Sequence, residues 1–179
     1  MSETTRAAEP PAGTEPGSGT APGTRAAPVF VTAETDAQMR ALGRRIAALL
    51  RAGDLLVLSG PLGAGKTTLT QGIGEGMGVR GPVTSPTFVI ARVHPSETGG
   101  PALVHADAYR LGGVEELDDL DLDTEMDASV VAVEWGEGIA EHLTDERLEI
   151  TIARHPDDTR RVTLTGNGAR WSHLAPDAE

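Results

Sequence analysis

The stretch "LSGPLGAGKTTLTQ", Leu58 to Gln71, decides the fold. From Gly60 to Thr67 it satisfies the pattern G-x-x-x-x-G-K-[ST] at every fixed position, the signature of a phosphate-binding loop. Glycine permits backbone angles that turn successive N–H groups inward, so Gly60, Leu62, Gly63, Ala64 and Gly65 are expected to form a nest for phosphate oxygens. Lys66 would bring a positive charge to the β and γ phosphates, and the Thr67 hydroxyl can ligate Mg²⁺. Thr68 follows in the first turn of a helix whose N-terminus favours the same anion. The loop is therefore read as a nucleotide site. The motif alone selects neither the base nor between hydrolysis and transfer to a substrate.

Working outward, "DLLVLSG" (54–60) is a nearly continuous apolar run, as expected of a central parallel strand buried on both faces. The helix that starts near Lys66 is expected to stop by about Met77. Its glycines, Gly72, Gly74, Gly76 and Gly78, each lower helix propensity by roughly 1 kcal/mol. Upstream, Val29 to Thr32 reads as a short strand. Met39, Leu42, Ile46, Leu49 and Leu50 then recur at helical spacing from Thr35 to Arg51, with Thr35 or Asp36 as N-cap. Downstream, "TFVIARVH" and "ALVHADAYR" are strand candidates around a turn, and "SVVAVEWG" is another buried strand. "RLEITIARHPDDTRRVTLTG" reads as a hairpin. The expectation is an α/β fold, P-loop NTPase-like, with a mostly parallel sheet flanked by helices and an antiparallel hairpin at its edge.

The 179 residues suggest one main domain, 28–166. Residues 1–27 lack Ile, Leu, Val and aromatics and are rich in Pro, Gly and Thr, so they are expected to be a disordered tail. Residues 167–179 read as a polar C-terminal tail. No apolar run is long enough to span a membrane. Cysteine is absent, which excludes disulfides and thiolate chemistry and fits a cytoplasmic protein. The net charge of -12 argues against a surface that grips nucleic acid directly.

A phosphate loop needs an acid at the end of a neighbouring strand to hold Mg²⁺, directly or through water. Asp107, sharing a strand face with Leu103, His105 and Tyr109, and Glu134, ending its strand, both qualify. Trp135 is either core packing or a platform beside the nucleotide. His105 is read as a packed or hydrogen-bonded histidine, since a zinc site is improbable without cysteine. The acidic run "EELDDLDLDTEMD" (115–127) begins like a calcium loop but has Thr124 and Val130 where Gly and Glu are required. It is read as a solvated helix face with Leu117, Leu120 and Leu122 turned inward, a partner-binding surface being the alternative.

Taken together, "LGAGKTTLTQG", "VTSPTFVI", "HADAYRL", "EEL" and "VAVEWGE", in that order over roughly residues 30–153, resemble the TsaE (YjeE) family. One departure is Pro61, where the family usually has an acid. The resemblance implies ATP at the loop, Mg²⁺ held by Thr67 and Glu134, Asp107 near the γ-phosphate, and the Thr35–Asp36 segment near the nucleotide. Lys66, Asp107 and Glu134 would carry catalysis. It implies a low-rate ATPase that binds TsaB and TsaD and supports their turnover. Those proteins place threonylcarbamoyl on adenosine 37 of tRNAs reading ANN codons, and tRNA would be met only indirectly. A small-molecule or protein kinase is the alternative reading, and a nucleotide-dependent binding module a third. No N-K-x-D element is present, which disfavours a signalling GTPase, and no arginine stands out as a finger supplied in cis.

Overall fold

The computed structural model describes residues 24–86 and 90–174. Seven strands form one sheet: β1 (Val29–Ala33), β2 (Leu55–Ser59), β3 (Ala91–His94), β4 (Ala102–Asp107), β5 (Ser129–Glu134), β6 (Arg147–Arg154) and β7 (Arg160–Asn167). Their order is β1-β7-β6-β2-β5-β4-β3. The central strands β6, β2, β5 and β4 run parallel, and the outer pairs are antiparallel. Every residue of β2 and of β5 is buried, as their unbroken apolar sequences require of strands covered on both faces.

Helices cover the two faces. On one, α1 (Asp36–Ala47) and α2 (Lys66–Met77) pack Met39, Leu42, Ile46, Leu69 and Ile73 against Leu56, Leu58, Leu103 and Ala132. On the other, the short helices α3 (Val114–Asp118) and α4 (Leu122–Met126) bring Leu117, Leu122 and Met126 to Leu55, Val57, Val104 and Val133. The acidic run thus has its leucines inward, Leu120 only partly so. It is two helices, broken where Asp121 takes a left-handed φ of 51°.

The α2 glycines have a purpose beyond their propensity cost. A Cβ on Gly72 would lie 2.3 Å from the Arg40 carbonyl oxygen, and one on Gly43 2.4 Å from that of Leu69. These contacts are backbone to backbone, so α1 and α2 touch along a stripe with no side chain between them. Arg40 and Arg44 then reach Glu75 across the seam at 2.6 and 2.8 Å. The close approach brings the N-terminus of α1 to the phosphate loop at the start of α2.

Several expectations need correction. The hairpin β6–β7 is interior, because β6 joins the parallel core and β7 is covered by β1; the sheet edges are β1 and β3. Helix α1 ends at Ala47, short of Arg51, because the chain must turn through Gly53 (φ 92°) to enter β2; Leu49 is left exposed. Strand β4 stops at Asp107, so Tyr109 lies in a turn instead of on the strand face. The expected disordered tail falls outside the described residues up to 23. Thr24 to Ala26, however, are bound to the end of β7: Gly168 N donates to Thr24 O and Ala26 N to Gly166 O, both at 2.8 Å. Main-chain pairing needs no apolar side chain, which is why composition missed it. At the other end, a 3₁₀ turn (Ala169–Trp171) buries Trp171 to 2 % exposure, and Arg170 reaches the buried Asp54 at 3.0 Å. The C-terminal segment is therefore structural through at least Trp171.

The α1–α2 seam gives a prediction of sign. Alanine is the better helix former by about 1 kcal/mol, yet Gly72→Ala is expected to destabilise by about 1–3 kcal/mol, as overpacking against rigid backbone does. Urea denaturation checks it; equal or greater stability would mean that α1 can retreat at no cost.

Candidate functional site

The phosphate loop leaves the carboxyl end of β2, which lies between β5 and β6, the position where ligands gather in open parallel sheets. Gly60, Gly63 and Gly65 have φ of 146°, 76° and 107°, conformations open to glycine. At Gly60 space also demands it, since a Cβ would lie 2.5 Å from the Ile152 carbonyl oxygen on β6.

The two acids predicted from strand ends are brought together. Asp107 and Glu134 are direct partners in the parallel β4–β5 register, so their side chains stand side by side on the α1–α2 face. Glu134 is only 3 % exposed. The Thr67 hydroxyl lies 3.0 and 3.2 Å from its two oxygens, and His105 Nε2 lies 2.7 Å from Oε1. Asp107 is half-buried, and its Oδ1 accepts from Tyr109 N at 2.9 Å, fixing the turn after β4.

Lys66 lies folded along the loop, its ammonium donating to the carbonyls of Gly60 (2.7 Å) and Pro61 (3.1 Å). The Trp135 ring covers that ammonium, 3.8 Å from centroid to Nζ, and meets the Tyr109 ring at 5.0 Å. Burial holds the Lys66 pKa below its usual 10.5, and the charges of Glu134 and Asp107 oppose that fall. Trp135 reaches this place through a left-handed backbone, φ 60°, which is strained for a bulky residue. It is thus a lid on the lysine.

A cleft of about 430 Å³ opens here. Its floor includes Gly63, Gly65, Lys66, Thr67 and Thr68; Asp107, Glu134 and Trp135 stand on one side and Asp36 on another. Leu62 lines it from the loop tip, 87 % exposed. Three expected residues do not line it. Thr35 serves as N-cap of α1, accepting from Gln38 N at 3.1 Å; Ala64 is packed in the core; Gly60 faces a shallower recess behind Trp135. The structure adds residues the sequence did not mark, chiefly Arg160 and Arg110 in the cleft wall. Arg160 Nη1 pairs with Asp36 at 3.0 Å, its Nε is buried without a hydrogen-bond partner, and its side chain lies against Gly65. Arg160 starts β7, and the pairing Ala33↔Arg160 carries it to the head of α1. No local motif could have announced that.

The donor set can be tested against the metal that such a loop uses. A hydroxyl and a carboxylate converge at the end of β5, both hard oxygen donors, beside a cradle with room for phosphate oxygens. That suits Mg²⁺, which takes few protein ligands and completes its shell with phosphate and water. Among the described residues no group of three His, Cys, Asp or Glu could hold a metal by itself.

A protein-family model described as threonylcarbamoyl adenosine biosynthesis protein TsaE matches residues 33–162. The chain belongs to the TsaE family. A family member from Streptomyces coelicolor, a tRNA threonylcarbamoyladenosine biosynthesis protein TsaE, is 66 % identical over 139 residues, covering 75 % of this chain and 94 % of that one. The protein of the same name from Bacillus subtilis is 41 % identical over 141 residues, 78 % of this chain and 87 % of that one. The crystal structure of Bacillus YdiB superposes with a TM-score of 0.67 at 33 % identity, covering 87 % of this chain and 94 % of that one. The family's P-loop NTPase-like architecture is the fold described above.

Proposed function

We propose that this chain is a Mg²⁺-dependent ATPase of the cytoplasm that serves threonylcarbamoyladenosine formation on tRNA, acting on a TsaB–TsaD complex to sustain its turnover. The observation that carries the reading is the Thr67–Glu134 pair at 3.0 Å, set beside Lys66 at the mouth of a complete phosphate loop. The names of the relatives supply the pathway. The net charge of -12 supports indirect contact with tRNA, through partners. Among the described residues no helix is long and apolar enough to cross a membrane.

In this reading the main-chain N–H groups from Gly63 to Thr67 bind the α and β phosphates. Lys66 leaves its two carbonyl partners for the β and γ phosphates. Thr67 and Glu134 would hold Mg²⁺, which would supply positive charge to the phosphates. Asp107, beside Glu134, positions the attacking water. Trp135 keeps the lysine shielded until phosphate draws it out. Arg160 and Asp36, on the wall away from the two acids, hold the nucleoside end. Labelled ATP incubated with and without TsaB and TsaD tests the whole: phosphate should be released to solution, faster with partners. Label on an acceptor would make the chain a kinase, and binding without turnover would make it a passive module.

Lys66→Ala is expected to weaken ATP binding about a hundredfold, the loss of charge-assisted bonds worth about 3 kcal/mol. Isothermal titration reads it, and wild-type affinity would remove Lys66 from the site. In the wild type, affinity should decline in alkaline solution at a lower pH than an ordinary lysine would dictate, since the folded pKa is depressed.

Glu134→Gln should retain the fold but need far more Mg²⁺ for tight ATP binding, whereas Asp107→Asn should bind Mg·ATP nearly normally and fail to turn over. Reconstituted tRNA modification then stalls near one round with either variant. Sustained modification by the Glu134 variant would mean that another group holds the metal.

Arg160→Ala is expected to cost ten- to a hundredfold in affinity for ATP, from about 1.5–3 kcal/mol for a bond to a charged group. If inorganic triphosphate binding falls equally, Arg160 serves the phosphates and not the nucleoside end.

A further inference from the structure

His105 is the most buried titratable group near the site, with no exposure at all, yet no step above uses it. It lies on β4 between Leu103 and Asp107 on the α1–α2 face, where an apolar side chain would pack at lower cost. Its Nε2 meets Glu134 Oε1 at 2.7 Å, and its Nδ1 is buried without a partner. An ionised carboxylate only accepts, so Nε2 carries the hydrogen and donates it.

Glu134's two donors differ in what they can fix. The Thr67 hydroxyl stands almost equally close to both oxygens, 3.0 and 3.2 Å, so it does not choose between them. Its single hydrogen also turns about a free C–O bond. The imidazole is rigid, held on a central strand, and addresses Oε1 alone. With the hydroxyl shared between the two oxygens and the imidazole on Oε1 alone, more lone-pair capacity is left on Oε2.

We infer that His105 is a positioning residue for the metal carboxylate: its Nε2–H locks Oε1 and leaves Oε2 as the oxygen offered to Mg²⁺. This rests on the reading of Thr67 and Glu134 as the metal pair. His105 does not touch nucleotide or metal. It acts through Glu134, as imidazole–carboxylate partners outside a coordination shell do when they set ligand orientation. The metal-free nucleotide complex does not depend on it.

The test uses the full chain and three variants. His105→Leu and His105→Asn both lose the donor at the Nε2 position, because the asparagine amide reaches only as far as Nδ1. His105→Gln extends an amide N–H to about the place of Nε2. ADP binding is followed by titration calorimetry, first in EDTA and then across a Mg²⁺ series, with a thermal melt of each variant. The expected result is unchanged ADP affinity in EDTA for all folded variants. The Mg²⁺ midpoint should rise 10- to 100-fold in Leu and Asn, with substantial recovery in Gln. Should the Leu variant not fold, the Asn–Gln contrast decides alone.

Equal Mg²⁺ midpoints in wild type and the donor-less variants would overturn the inference and leave the metal pair standing. Equal loss of ADP affinity with and without Mg²⁺ would overturn it too, showing a general packing role. Failure of Gln to recover, in a folded protein, would show that the donor is not what matters. A wild type whose ADP binding ignores Mg²⁺ would overturn the metal reading and this inference together.

Discussion

The site depends on the burial of one carboxylate. Glu134 ends a strand whose six residues are all buried, in a region packed with leucine and alanine. An ion there is expensive unless donors meet its oxygens. Thr67, at the start of α2, and His105, on β4, meet them from two sides. The buried charge thus ties the phosphate loop to the centre of the sheet. The Glu134 charge, with that of Asp107, also opposes the fall in the Lys66 pKa that burial causes.

The second constraint is steric. Because Gly43 and Gly72 leave no side chain in the α1–α2 seam, Asp36 is brought to the rim of the cleft and meets Arg160 there. That wall of the cleft is therefore assembled from parts remote in sequence: the head of α1, the third glycine of the loop and the first residue of β7. Trp135, strained and set over the lysine, closes the opposite wall. Rigid backbone contacts hold one wall, and the Trp135 ring stands with Asp107 and Glu134 on the other.

What the sequence disclosed and what it hid divide along locality. The phosphate loop, its helix and the acids Asp107 and Glu134 were legible because each is written in contiguous residues: a glycine pattern, a run of apolar residues, a strand end. Alternation also placed His105 correctly on the face of Asp107. Strand partners are not written locally, so the hairpin was assigned to the edge and Arg160 was not seen. Composition misled at both ends. Thr24 to Ala26 join the sheet through main-chain bonds, and Trp171 anchors a segment that reads as polar. Helix propensity counted the α2 glycines as a weakness, whereas the packed structure requires them.

The position of β1 also sets an order of events as the chain is made. Among the described residues β1 pairs only with β7, and 126 residues separate its last residue, Ala33, from Arg160. Synthesis proceeds from the N-terminus at roughly 5–20 residues per second. For most of that time β1 has been made but its native neighbour does not exist. Three of the four parallel strands, β2, β4 and β5, can pair as they emerge, while β6, against which Gly60 packs, is still to come. The Asp36–Arg160 contact waits until the hairpin β6–β7 leaves the ribosome. A nascent chain halted after β5 therefore carries the lysine and both acids but lacks the arginine that completes the wall beside Asp36.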